Sequence, residues 1–245
     1  MNLSNNTVLL TGGASGIGLA LAARFLQAGS TVIICGRRAD KLAEAQQLYP
    51  ALITRECDVA NVAERVELVR WATTQYPRLN VLVNNAGIQN RIQLADSPGD
   101  WETLRQEITI NVEAPIHLAM LLIPHLREQP QAAIINVTSG LSFAPAAFAP
   151  IYSATKAALH SFTLSLRHQL QPTGISVLEI VPPAVNTDLG GPGLHTFGAP
   201  VNEFADSVMA RLAAGEHEVG YGTSEQARLA SRAELDERFR LMNNR

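Results

Sequence analysis

Short, continuous apolar runs alternate with longer helical patterns along nearly the whole chain, and this alternation restricts the fold more than any other feature. Residues 7–11, 31–35, 53–57, 81–84, 133–137 and 175–181 read as strands. They lack the in–out alternation of a half-exposed strand, so both faces of the sheet should be covered. Residues 17–27, 40–48, 62–75, 101–128 and 152–170 read as helices, the third with Val62, Val66 and Val69 on one stripe. One helix per crossover builds an α/β, doubly wound, mostly parallel sheet. Ligands of such sheets bind at the C-terminal strand ends. No repeat or linker interrupts residues 1–245, so one domain is expected, with 222–245 as a helical tail. A domain of this size buries enough surface to need no disulfide or metal staple.

The first loop of this pattern is Thr11-Gly12-Gly13-Ala14-Ser15-Gly16-Ile17-Gly18, which follows the first strand and opens the first helix. Glycines there let backbone N–H groups approach a pyrophosphate at a helix N-terminus, which makes the sheet Rossmann-type. Gly12, Gly16 and Gly18 set the spacing, with Ala14, Ser15 and Ile17 between them. The second strand should then carry the residue that reads the adenosine ribose. A carboxylate there binds a 2′-hydroxyl and repels a 2′-phosphate. This chain instead has Arg37 and Arg38, and the forked guanidinium suits phosphate. NADP(H) is therefore expected ahead of NAD(H), with Arg37 the leading contact and Arg38 the second.

Tyr152 and Lys156 stand four apart on a predicted helix, so their side chains share a face. A phenol titrates near pH 10. A fixed positive charge beside it favours the phenolate and brings it within reach of proton transfer to or from an alcohol. The spacing alone recurs on many helices, and its weight comes from the company it keeps.

Composition narrows the surroundings. A net charge of −3 argues against a nucleic-acid or anionic-membrane surface. Cys35 and Cys57 show no disulfide or zinc spacing and read as buried free thiols of a reducing compartment. The N-terminus lacks the regions of a signal peptide. The apolar helix around 112–126 is broken by Glu113, Pro115, His117 and Pro124, so it does not read as membrane-spanning. A cytoplasmic protein with no metal is expected.

Taken together, Thr11–Gly18, Cys57-Asp58-Val59, Asn84-Asn85-Ala86-Gly87, Asn111, Ser139 and the Tyr152/Lys156 pair make the chain resemble the short-chain dehydrogenase/reductase family, in its compact single-domain form. The segments 134–141, 156–163 and 182–185 resemble the DltE-like oxidoreductases within it. The resemblance implies that Asp58 and Val59 meet the adenine and that Asn84, Asn85, Ala86 and Gly87 wall the adenosine. Ser139 would bond the substrate oxygen. Tyr152 would be the general acid of reduction and the general base of oxidation, and Lys156 would lower its pKa and hold the nicotinamide ribose. Asn111 would hold a water behind Lys156. Pro182, Val185 and Thr187 would line the nicotinamide. One departure stands out: Pro183 occupies the usual glycine position, which removes an N–H and fixes φ.

The substrate side should be formed by Ser139, Leu141 and Tyr152, with Gly140, Phe143, Gln89, Asn90, Ala184, Val185 and the loop 190–197 around them. Residues 189–200 read as a mobile loop, with His195 solvated. His160 and His168 read as packing or interface residues. The resemblance implies a homodimer through the helices carrying Asn111 and Tyr152. Residues 224–243 read as one amphipathic helix, with Leu235, Phe239 and Met242 on its stripe, placed to cover a tetramer edge. The partner expected is a small carbonyl or alcohol, with no nucleic acid and no membrane. A silent cofactor-binding regulator is the competing reading, because fold does not imply function. A sugar-nucleotide epimerase would need a longer chain.

Overall fold

The computed structural model describes residues 1–96 and 99–244. Its strands are β1 (Thr7–Thr11), β2 (Thr31–Gly36), β3 (Ile53–Glu56), β4 (Leu79–Asn84), β5 (Ala133–Val137), β6 (Ser176–Val181) and β7 (Glu218–Gly220). They form one sheet in the order β3-β2-β1-β4-β5-β6-β7, parallel throughout. Alternate residues feed two cores. Val8, Leu10, Ile34, Val81, Val83 and Ile135 pack under α1 (Gly16–Gln27), α2 (Ala39–Leu48) and a later helix, α7 (Val201–Ala213). Leu9, Ile33, Leu82 and Ile134 pack under α3 (Val62–Gln75), α5 (Ala114–Leu126) and α6 (Pro150–Leu170). Both faces are thus covered, as the continuous apolar runs require. The order reverses between β1 and β4, which opens the crevice where ligands of such sheets bind.

The predicted strands and helices are present with ends shifted by at most two residues, and three features differ. The stripe on α3 is not Val62, Val66 and Val69, because Val62 and Val66 are 52% and 44% exposed. Asn61 caps this helix by accepting from the N–H groups of Ala63 and Glu64, and the face turned to the sheet is Arg65, Leu68, Val69 and Ala72. The long helix is not uniform. Residues Trp101–Ile108 form α4, Thr109–Glu113 form a π-helical turn, and α5 follows. By length and composition this helical stretch is apolar enough to cross a membrane. Here Leu118, Ala119, Leu122 and Leu126 are buried against the sheet. The tail is two helices, α8 (Thr223–Leu229) and α9 (Arg232–Asn243), because Ala230 is extended and Ser231 forms a capping box with Glu234. On α9, Leu235 and Met242 are half-buried, whereas Phe239 is exposed.

The sequence reading lacks α7 and β7. The helix has a clear stripe (Phe204, Ala205, Val208, Met209, Leu212), but it follows directly on a Gly/Pro-rich loop that masks its start in sequence. The strand has three residues, too few for a pattern. Cys35 and Cys57 are free and buried, near enough for each thiol to influence the other.

Candidate active site

The glycine loop is shaped by contacts that leave no room for side chains. A Cβ on Gly18 would lie 2.2 Å from the Gly12 carbonyl oxygen, and one on Gly13 would lie 2.4 Å from Ile34 Cγ2. Gly12 and Gly16 have φ of 67° and 53°, a backbone region that favours glycine. The loop is tied down from both sides. Gly12 N–H donates to the Cys35 carbonyl at 2.8 Å. The Asn85 amide donates to the carbonyls of Thr11 and Gly12 at 2.9 and 3.0 Å. Asn85 therefore braces the loop from behind. Asn84 holds the central strands, its amide donating to Asn136 Oδ1 at 2.9 Å.

Helix α1 begins without a side-chain cap and without an acidic residue in its first turn. Its first N–H groups are left for an anionic ligand, so this end fits a pyrophosphate. A Cβ on Gly36 would meet nothing within 4 Å, which leaves space beside the end of β2. Arg37 and Arg38 stand at that opening, both exposed. It is Arg38 that reaches the loop, its Nη2 donating to Ser15 Oγ at 3.4 Å. Asp58 lies just past β3, one oxygen accepting from Ala60 N–H, and Val59 is buried beside it. Across the crevice, Thr187 sits against the loop, with its Cγ2 3.2 Å from where a Gly16 Cβ would be. Val185 is held by a bridge to Ala199, and Pro182 accepts from Gly140 N–H at 2.9 Å. Ala14 and Ile17 pack on the core beneath the loop. The residues present suit a dinucleotide.

The sequence-predicted catalytic residues converge. Tyr152, Lys156, Ser139 and Asn111 are all buried. Tyr152 lies in the first turn of α6, and Ser139, from the turn after β5, is near enough to favour its phenolate. Ser139 Oγ accepts from Leu141 N–H at 3.2 Å. Lys156 Nζ donates to the Val137 carbonyl at 2.8 Å and lies 5.6 Å from the Tyr152 ring centroid. Asn111 sits within the π turn, where the helix gives up its regular hydrogen-bond ladder. Its amide accepts from Ile88 N–H and donates to the Ile88 carbonyl, both at 2.9 Å, and to Thr155 Oγ1 at 3.1 Å. A Cβ on Gly87 would come within 3.3 Å of Asn111 Oδ1 and 3.5 Å of Lys156 Nζ.

The electrostatics differ from the expectation that Lys156 lowers Tyr152. Burial raises the phenol above its usual value, Ser139 opposes this, and Glu107 adds to it. Burial pushes Lys156 down to about 8, against the pull of Glu107. Burial wins because taking an ion out of water costs more than one neighbouring charge returns.

Glu107 is the residue the sequence reading missed. It is fully buried on α4, its carboxylate pushed up by burial, and it accepts from Asn90 N–H and Nδ2 at 3.1 and 3.2 Å. Its position one helical turn before Asn111 is the signal that would have found it.

The substrate side holds further corrections. His195 is buried, 3.3 Å from Gln89 Oε1, because the 189–200 loop folds over it and is closed at its base by the Val185–Ala199 bridge. Phe143 packs on the His160 ring, 4.7 Å between centroids. His160 in turn bonds the buried Glu179, which also accepts from Thr138 Oγ1 at 2.6 Å. Glu218 approaches the same place but faces Arg228 and Arg167, so this cluster is an ion-pair network. His168 is exposed. The tail also reaches the site. Ser224 Oγ donates to the Val181 carbonyl, and a Cβ on Gly140 would stand 3.0 Å from Ser224 Cβ. Asn243 bonds Ala147 N–H and the Pro145 carbonyl on the segment before Tyr152.

Known proteins share this plan. The short chain dehydrogenase family model matches residues 6–194. An uncharacterised oxidoreductase, DltE of Bacillus subtilis, is 48% identical over 99% of this chain and 98% of its own. A Burkholderia cenocepacia short chain dehydrogenase in complex with NADP superposes with a TM-score of 0.83 at 27% identity, covering 98% of this chain and 99% of its own. The 3-ketoacyl-(acyl-carrier-protein) reductase of Brucella melitensis, complexed with NADH, does so at 0.81 and 26%, covering 91% and 99%. With the glycine cradle and the buried Ser–Tyr–Lys cluster on one rim of a parallel sheet, the chain belongs to the short-chain dehydrogenase/reductase family of oxidoreductases, as a DltE-like member.

Proposed function

We propose that this protein is an NADP(H)-preferring oxidoreductase that interconverts a carbonyl compound and a secondary alcohol, with Ser139, Tyr152, Lys156 and Asn111 as its working residues. The observation that carries the reading is that all four are buried, with Lys156 against the Tyr152 ring and Gly87 packed between Asn111 and Lys156. When bound, the nicotinamide supplies or accepts the hydride. The chain's own part is to handle the oxygen. In reduction, negative charge gathers on the carbonyl oxygen, and the hydroxyls of Ser139 and Tyr152 donate to it where it develops. Tyr152 then releases its proton to that oxygen. Burial keeps the phenol protonated at neutral pH, which is the form reduction needs. In oxidation the same proton returns from the alcohol to Tyr152. Lys156, across the Tyr152 ring, offsets the negative charge of the phenolate as it forms. The π turn holds Asn111 beside it, fastened to Ile88 and to Thr155 next to Lys156. The preference for NADP(H) rests on the two guanidiniums of Arg37 and Arg38, with no carboxylate at the end of β2 itself.

The decisive experiment follows NADPH and NADH absorbance across a panel of ketones, aldehydes and secondary alcohols. Turnover is expected for the native chain. Tyr152→Phe should lose it, by 10³-fold or roughly more on the scale of general acid catalysis, while still binding NADPH. Tight NADPH binding with no turnover on any compound would favour the silent regulator.

A further inference from the structure

A buried carboxylate beside a buried ammonium asks for a reason. Glu107 is completely enclosed, and both of its oxygens are taken by Asn90. A glutamine would satisfy that backbone N–H and, with its amide turned, the Asn90 side chain as well. Hydrogen bonding therefore does not explain the charge, whose burial costs free energy unless another charge compensates it. The compensating group is at hand. Helices α4 and α6 pack together, and Asn111, one turn on from Glu107, bonds Thr155 next to Lys156 and shares Gly87 with the Lys156 ammonium. The two charges make no direct ion pair, but the Glu107 carboxylate lies close enough to favour the charged Lys156. Lys156 needs such a partner, because its one hydrogen bond among the described residues goes to the uncharged Val137 carbonyl. Around the pair, Tyr152 comes from α6 and Ser139 from the turn after β5, and Glu107 is the one carboxylate among the described residues found to act on either Tyr152 or Lys156.

The geometry also links the charge to the wall of the site. Glu107 and Asn111 lie one turn apart and fasten neighbouring residues of one segment, Asn111 gripping Ile88 and Glu107 gripping Asn90. That segment runs on from Gly87, which lies against Lys156 Nζ, to Gln89, which meets His195.

We propose that Glu107 is a positioning residue that acts through Lys156, as the buried counter-ion that keeps its ammonium charged while fixing the 88–90 wall beside it. The inference deepens the oxidoreductase reading and rests on it for the use made of that charge. Removing the carboxylate leaves burial unopposed, so Lys156 must give up its proton at lower pH.

The sequence allows a direct measurement, because it contains only two lysines, Lys41 and Lys156. Protein labelled with ¹³Cε-lysine should give two resonances, and Lys41→Arg assigns them. In the native chain the Lys156 signal should titrate near 8 and show a second inflection in the acid range as Glu107 takes up its proton. In Glu107→Gln the main titration should move to lower pH and the acid inflection should vanish, with circular dichroism and NADPH affinity retained. An unchanged Lys156 titration in the variant overturns the proposal. If the variant does not fold, a native chain without the acid inflection overturns it. No substrate is needed, so failure here is separate from failure of the turnover panel. With an active substrate, the alkaline limb of kcat/KM for reduction should also move to lower pH in Glu107→Gln.

Discussion

At the scale of residues, chemistry-bearing side chains were readable when their spacing was fixed by one element, and unreadable when their meaning depended on a neighbour. Tyr152 and Lys156 share a helix face, and their pairing survives in the fold. The direction of Tyr152's shift does not, because burial by distant segments raises the phenol, with Glu107 adding to it against the Ser139 hydroxyl. The two arginines make a similar case. From sequence, Arg37 is the leading phosphate contact, yet Arg38 is the one whose guanidinium reaches Ser15 on the glycine loop. Arg38→Asp should therefore raise the KM for NADPH strongly while leaving that for NADH little changed, and Arg37→Asp should do so to a smaller degree. Steady-state kinetics with both cofactors decide the order, and equal losses for both cofactors would remove the arginines from the phosphate site. Pro183 bears on the site through the backbone. It follows Pro182, whose carbonyl holds the Gly140 turn, so the stiffness it adds lies next to Ser139.

Among elements, the long periodic ones were legible and the short or interrupted ones were not. The first strand is placed to the residue because an apolar run meets a glycine turn. The π turn is invisible in composition, since it depends on one surplus residue and not on residue type. The tail was misjudged for a related reason. Its first helix, α8, does not lie along the surface but closes a corner with β7. Glu225 anchors that corner, accepting from Arg228, Arg211 and Gly220 N–H. The Arg228 guanidinium, with Arg211, holds its carboxyl down to about 2. The folded value is depressed, so the stabilisation is present above the unfolded value of about 4.3 and fades as pH falls through 2. Glu225→Gln should lower Tm at neutral pH, and the gap from the native chain should close in acid. A gap that stayed constant with pH would show that the ionised carboxylate is not the source.

For the whole molecule, the strand–helix alternation dictated a parallel sheet, and the sheet order then set the crevice, so the site's place followed from the fold class. What the alternation leaves open is how copies meet. The helical stretch α4–α5 exposes Ile108 and Met120, at 39% and 64%, and α6 exposes Leu164 at 44%. We propose that a second copy covers these residues, as a homodimer across those helices. Met120→Glu should yield a monomer mass by light scattering where the native chain gives a dimer, and a native tetramer would contradict the proposal that the tail covers the second edge. The π turn connects this outer surface to the chemistry. It adds part of a turn between Glu107 and the residues that follow, and so sets the rotational phase between the face that meets Lys156 and the face that meets a partner. A chain shorter by one residue there would rotate one part against the other by about 100°. Deleting one residue of this stretch should therefore disturb the site more than exchanging any side chain on its outer face.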